Sequence, residues 1–454
     1  MSVSTAVPSW GILPVRSSGA SPGLQSEHHA PPERPASSGL HGATALAADL
    51  ERQLGHWLSA ASSFIDAEEF ASRMAWESVE QQIGQPIRRQ LGKTVQELLQ
   101  HGRSAMEIVR SSRTDPSVLP RAGAAVQRFR RQYLTVETTL DFFGQAVNSR
   151  TSPNLSEALR TLDMLAYQSV EVTLRSLGQP VPPVLTYLGE GLGASIIRAG
   201  IRLWAPGAVN PVAAIKIVRH NLYRPTSLFH ETGHQVAHLT GWTDALSAGL
   251  SNALADDPPL RAMWQPWASE IAADIYAFAL TGYASIAALY DVVADERSIL
   301  RWPLGDPHPI GWLRTLLGCA LSRAAYGSGP WDDLEQAMLT AHPATRAEQS
   351  TVALLLRSQA RMPQLARLCL DLRVPGFRDR PIGALIDPAR VSPAALAELE
   401  RSAGPALWTS PHWKRTEGIR TVALAGLREA ERPDRTREWA DRSRAWISSG
   451  QRAA

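Results

Sequence analysis

The run WASEIAADIYAFALTGYASIAALYDVVA, residues 267–294, constrains the fold of this chain more than any other. Residues 271–294 form its most apolar long stretch, yet Asp274 and Asp291 lie inside it and Thr281-Gly282 interrupts it. A membrane span would tolerate neither the charges nor the break, so the run predicts two buried helices. Glu270 and Asp274 are spaced i, i+4 and share one face of the first helix. Their neighbours are Ile271, Ala272, Ala273, Ile275, Ala277 and Phe278. Two carboxylates buried in such company are costly without a cation. Either positive charge comes to this helix, or its acidic edge stays in water.

A source of that charge lies upstream in HETGHQVAH, residues 230–238. A helix puts His230 and His234 on one face, about one turn apart, where two imidazoles can share one zinc ion. Glu231 sits about 100° round the helix, beside the ion without binding it, where a carboxylate can take a proton from an activated water. Thr226 or Ser227 is the expected N-cap of this helix. His238 repeats the four-residue step, but eight residues of helix rise about 12 Å, too far for His230 and His238 to reach one ion. Glu270 is the expected third ligand, completing a His₂Glu set with a fourth position open to water. Asp274 is expected to hold a ligand imidazole through its other ring nitrogen.

HExxH followed downstream by ExxxD resembles the gluzincin zinc metallopeptidases, the group that includes thermolysin-like enzymes. The likeness covers about residues 212–314. It implies a small mixed sheet packed on the HExxH helix, a Zn²⁺ cofactor and hydrolysis of a peptide bond. The segment DPHPIGWLR, with His308, Pro309 and Arg314, more faintly resembles the HP…R segment of the CAAX-protease-like branch. No bundle of membrane-spanning helices accompanies it here.

The expected fold is mainly α with a small β-sheet. Residues 1–43, rich in Ser, Pro, Gly and Ala, are expected to be disordered, either as a plain terminus or as a loading tag for a partner or delivery machine. Residues 44–178 carry helical spacing and predict a bundle of four helices. Prolines at 178–184 end that region. Residues 184–372 form the expected zincin-like domain, with strands in ASIIRAGIRLW and VAAIKIVRH, and residues 373–454 a C-terminal helical region.

The bulk composition narrows the partners. The 454 residues carry a net charge of only +3 with no dense basic block, which gives no case for nucleic acid. Two cysteines, Cys319 and Cys369, exclude a disulfide scaffold, and no apolar leader opens the sequence, so the cytoplasm is the expected compartment. The expected activity is zinc-dependent hydrolysis of a peptide or protein substrate with Glu231 as general base. His308 is the first candidate to stabilise the developing oxyanion, followed by Tyr223, Tyr290 and His342. The strand Val212–Val218 is expected to offer its edge to the substrate. Two rival readings remain open at this stage: hydrolysis or deacylation of a non-peptide amide, and a non-enzymatic helical interaction protein.

Overall fold

The computed structural model describes residues 36–84, 86–191, 194–197, 212–302 and 308–449. Its first helices are α1 (Ala36–Ser63), α2 (Arg73–Ile83), α3 (Ile87–Ser111), α4 (Leu119–Asn148) and α5 (Pro153–Leu174). Three strands follow: β1 (Val184–Leu188), β2 (Ser195–Ile197) and β3 (Ala213–Ile217). Next come α6 (Thr226–Thr240), α7 (Trp242–Ala253), α8 (Pro258–Trp264), α9 (Ala268–Thr281), α10 (Tyr283–Val293) and α11 (Gly311–Tyr326). The chain closes with α12 (Pro330–Ala341), α13 (Gln349–Asp371), α14 (Pro393–Ala403), α15 (Ala406–Thr409), α16 (Pro411–Thr416), α17 (Gly418–Glu431) and α18 (Thr436–Ser448). The fold is mainly α with a small mixed sheet, as the sequence predicts.

The described part of the expected disordered segment is helical, because α1 already begins at Ala36; residues 1–35 lie outside the described residues. The segment 198–211, and with it the remainder of the strand expected over 194–204, also lies outside them. Among the described residues no helix is long and apolar enough to cross a membrane.

The packing is divided differently from the bundle-then-domain order. One core joins α1 to α4 and takes in Leu185 and Tyr187 of β1. The other contains α5, β3 and the helices from α6 onward, through Val422, Leu424 and Leu427 of α17 to Trp446 and Ile447 of α18. Helix α5 thus belongs with the second core, and the C-terminal helices complete that core instead of standing apart.

The sheet lies between the two. Alternation along a strand turns successive side chains to opposite faces. Ala213, Ile215 and Ile217 of β3 face the second core, while Leu185 and Tyr187 of β1 face the first. The strand order is β1-β3-β2, with β1 parallel and β2 antiparallel to β3. Asp163 of α5 fixes β1 in place: its Oδ1 accepts from the Thr186 backbone N–H at 2.6 Å, and its Oδ2 from Arg150, in the turn after α4, at 2.5 Å and Gln82 of α2 at 2.8 Å.

The contact that matters most for the site is α6 against α9. A Cβ on Gly233 would stand 2.9 Å from both Ala273 Cα and Tyr276 Cβ, so only glycine lets the two backbones approach this closely. Helix α5 braces both partners from behind. Ser169 Oγ donates to Thr232 Oγ1 on α6 at 2.8 Å, and the Tyr276 hydroxyl on α9 donates to the Ser169 carbonyl. All of these groups are buried. Helix α6 starts differently from expectation. Pro225 occupies the N-cap position with no side-chain cap, and Thr226 is already the first helical residue. Its C-terminus is closed by Gly241 at φ 68°, a left-handed residue suited to glycine.

Gly233→Ala is expected to destabilise the fold by about 1–3 kcal/mol, because the added methyl meets backbone that cannot yield. Denaturant unfolding of the purified variant would measure it, and an unchanged midpoint would contradict the close approach.

Candidate metal centre

The four-residue step on α6 brings the two imidazoles together edge to face, with ring centroids 4.7 Å apart and planes at 86°. Their Nε2 atoms are 3.2 Å from each other. Glu270, in the first turn of α9, reaches across the glycine contact between them. Its Oε2 lies 3.3 Å from His230 Nε2 and its Oε1 3.3 Å from His234 Nε2. The ligand-capable atoms of all three residues fall within 4.8 Å of one another. Ligand bonds of about 2.1 Å at tetrahedral angles separate neighbouring donor atoms by about 3.4 Å, and each contact between the two ring nitrogens and the nearer carboxylate oxygen is close to that spacing, although the two imidazoles meet different oxygens of Glu270.

The surroundings fit a cation as well. Glu270 Oε2 is buried and accepts no hydrogen bond from the protein. A buried carboxylate oxygen without a donor is expensive unless a positive ion completes it. The other ring nitrogens point away from the cluster. His230 Nδ1 lies 2.9 Å from Asp274 Oδ1, a close charge contact off the line of the ring N–H, and His234 Nδ1 is 3.2 Å from Ser269 Oγ. Asp274 is itself clamped by Arg314 of α11, whose Nε and Nη2 donate to its two oxygens at 2.8 and 2.7 Å. That bidentate fork fixes the carboxylate plane.

Charge balance explains the titration behaviour. Burial alone would discharge His230, but Asp274 and then Glu270 outweigh it and raise the imidazole pKa to about 10. Burial would likewise raise Glu270, yet His230 and His234 hold it down at about 2. Asp274 is depressed below the ordinary carboxylate range despite burial, chiefly by Arg314. In the metal-free protein, therefore, a proton on His230 supplies the positive charge that the acids require. Glu231, the next residue along, is buried and directly shifted: burial raises its carboxyl to about 7, against the pull of His230.

The expected residues are distributed unequally. His230, Glu231, Asp274 and His308 line one cleft of about 160 Å³ between α6, α9, α10 and α11. His308 is half exposed, with Nε2 3.7 Å from Glu270 Oε2. Tyr223 lines a different cavity, and Tyr290 and His342 line neither. His342 instead accepts a hydrogen bond from Trp312 Nε1 through its backbone carbonyl at 2.9 Å. His238 is exposed and outside the cluster. The edge of β3 cannot receive an extended peptide, because β3 is the central strand, paired with β1 on one side and β2 on the other. Sequence reasoning did not assign Ser269 and gave Arg314 no role at Asp274. The signal for Arg314 was a single charge in the otherwise apolar opening of α11.

Comparison with protein-family models, curated proteins and solved structures finds nothing that matches this chain.

Binding of a divalent ion to His230 requires the neutral imidazole, so it should displace the proton held there. Between about pH 7 and 10, where Glu231 is already ionised, metal binding is expected to release about one proton per chain, and affinity should rise about tenfold per pH unit. Calorimetry in buffers of different ionisation enthalpy would measure it. Asp274→Asn, which removes the carboxylate that favours the proton, should reduce the release at pH 8. Release unchanged in that variant would contradict this assignment of the charge.

Proposed function

We propose that this protein is a zinc-dependent metallopeptidase, with His230, His234 and Glu270 as ligands and Glu231 as general base. The observation that carries the reading is the convergence of two imidazoles and a carboxylate, with ligand atoms within 4.8 Å of one another, beside a cleft whose wall carries the shifted carboxyl of Glu231. When bound, the zinc ion would act as a Lewis acid toward a water and the substrate carbonyl.

The chain's own groups supply the remainder. Glu231 accepts a proton from the attacking water and returns it to the leaving nitrogen. A carboxyl raised to about 7 by burial is matched to both transfers at neutral pH, and a neighbouring cation keeps it ionised in the resting state. His308, at the cleft mouth, donates to the oxygen on which charge develops. Asp274, locked by Arg314, holds the His230 ring at a fixed angle.

The cleft also suggests a preference. Ile286, Leu289 and Val292 of α10 and Leu317 and Leu321 of α11 form an apolar wall next to Glu231. A space of about 160 Å³ suits one large apolar side chain beside the scissile bond. Strand β2 is one of the two outer strands among the described residues, and Ala194, just before it, lines the same cleft. An extended substrate is accordingly expected to run along β2 instead of β3.

Glu231→Gln should keep its metal while hydrolysis falls by about 10²–10⁴-fold. Incubating wild type and variant with a denatured-protein mixture and sequencing new termini would test this. Cleavage beside large apolar residues by wild type alone is the expected result; equal cleavage by both proteins would overturn the assignment of the base.

A further inference from the structure

The segment Arg219–Pro225, which leads into α6, has a cavity on each side. Asn221 lines the metal cleft, whereas Arg219, Tyr223 and Arg224 line a second cavity of about 320 Å³ whose far side is formed by α17 and α18. Three arginines, 219, 224 and 444, open on this second cavity against one carboxylate, Glu429. Three arginines less this one glutamate leave +2 on the cavity wall, and Asp291, outside the wall but paired with Arg224, lowers it to +1. Arg224 is engaged, pairing with Glu429 at 3.2 Å and with Asp291 of α10. Arg219 and Arg444 pair with no carboxylate among the described residues. The Arg444 guanidinium rests 4.7 Å from the Tyr223 ring centroid, a cation–π contact that orders the side chain. Trp408, half-buried and packed against Arg442, Trp439 and Trp446, adds a second aromatic ring to the wall.

We propose that this cavity binds a small organic oxyanion, a phosphate or carboxylate group joined to a planar ring. Arg219 and Arg444 take the anionic group, through forked hydrogen bonds that suit its oxygens, and Tyr223 and Trp408 take the ring. The volume lies at the lower end for small-ligand sites, twice that of the metal cleft. Arg224 is the scaffold of the site. Its pairs to α10 and α17 hold the segment open between the two cavities.

Calorimetric titration of the full-length protein with phenyl phosphate, benzoate and inorganic phosphate tests the proposal. Phenyl phosphate and benzoate should bind saturably, and phenyl phosphate about tenfold or more tighter than inorganic phosphate. The double variant Arg219→Gln/Arg444→Gln should weaken phenyl phosphate by about tenfold or more. Both arginines are exposed, so the variant should keep the wild-type far-UV circular dichroism. His230→Ala, which breaks the metal cluster, should bind phenyl phosphate as wild type does. Absence of saturation, equal affinity for the ring-bearing and inorganic ions, unchanged affinity in the double variant, or loss of binding in His230→Ala would each overturn it.

Discussion

The close approach of α6 and α9 at Gly233 is the constraint on which the site depends. With any larger residue there the helices would separate, and the imidazoles of one would no longer share donor spacing with the carboxylate of the other. The two helices are also kept in register. The buried hydroxyls of Ser169, Thr232 and Tyr276 bond through α5, and a shift along either helix would break polar contacts that no water could replace. The cluster is thus a property of a helix pair and its backing helix, and not of the HExxH segment by itself.

Around that contact the charges are balanced in layers. Arg314 neutralises Asp274, Asp274 faces His230, and His230 and His234 meet Glu270. Counting Glu270 and Asp274 against Arg314 leaves one negative charge before Glu231 is considered. A proton on His230 balances this in one state, and a divalent ion together with an ionised Glu231 balances it in another. The same burial that makes uncompensated acids costly brings Glu231 to about 7. Stability and chemistry at this site have one electrostatic cause.

Much of this was legible in the sequence, and the physical reason is periodicity. The i, i+4 spacings of His230/His234 and Glu270/Asp274 fix which side chains share a helix face, and an apolar helix bearing two acids announces that compensation must come from elsewhere. Spacing within a helix says nothing about how far a second helix stands, so the role of Gly233 was invisible. Arg314 and Ser269 reach the cluster from α11 and from the start of α9 by tertiary packing alone. Strand β1 was missed because VLTYL follows directly on the prolines that mark the end of the bundle. Its placement depends on Asp163, a buried acid on α5 that sequence alone does not distinguish from a surface one. The assignment of α5 to the second core was hidden for the same reason: its helical pattern shows an apolar face, and only packing shows what covers it.

The central claim is that His230, His234 and Glu270 together hold one zinc ion. Elemental analysis of purified full-length protein, with X-ray absorption at the zinc edge, tests it most directly. One zinc per chain, bound by two nitrogen donors and at least one oxygen and lost in both His230→Ala and Glu270→Ala, is the predicted result. A zinc content well below one per chain in protein supplied with the metal, or one that His230→Ala leaves unchanged, would contradict it.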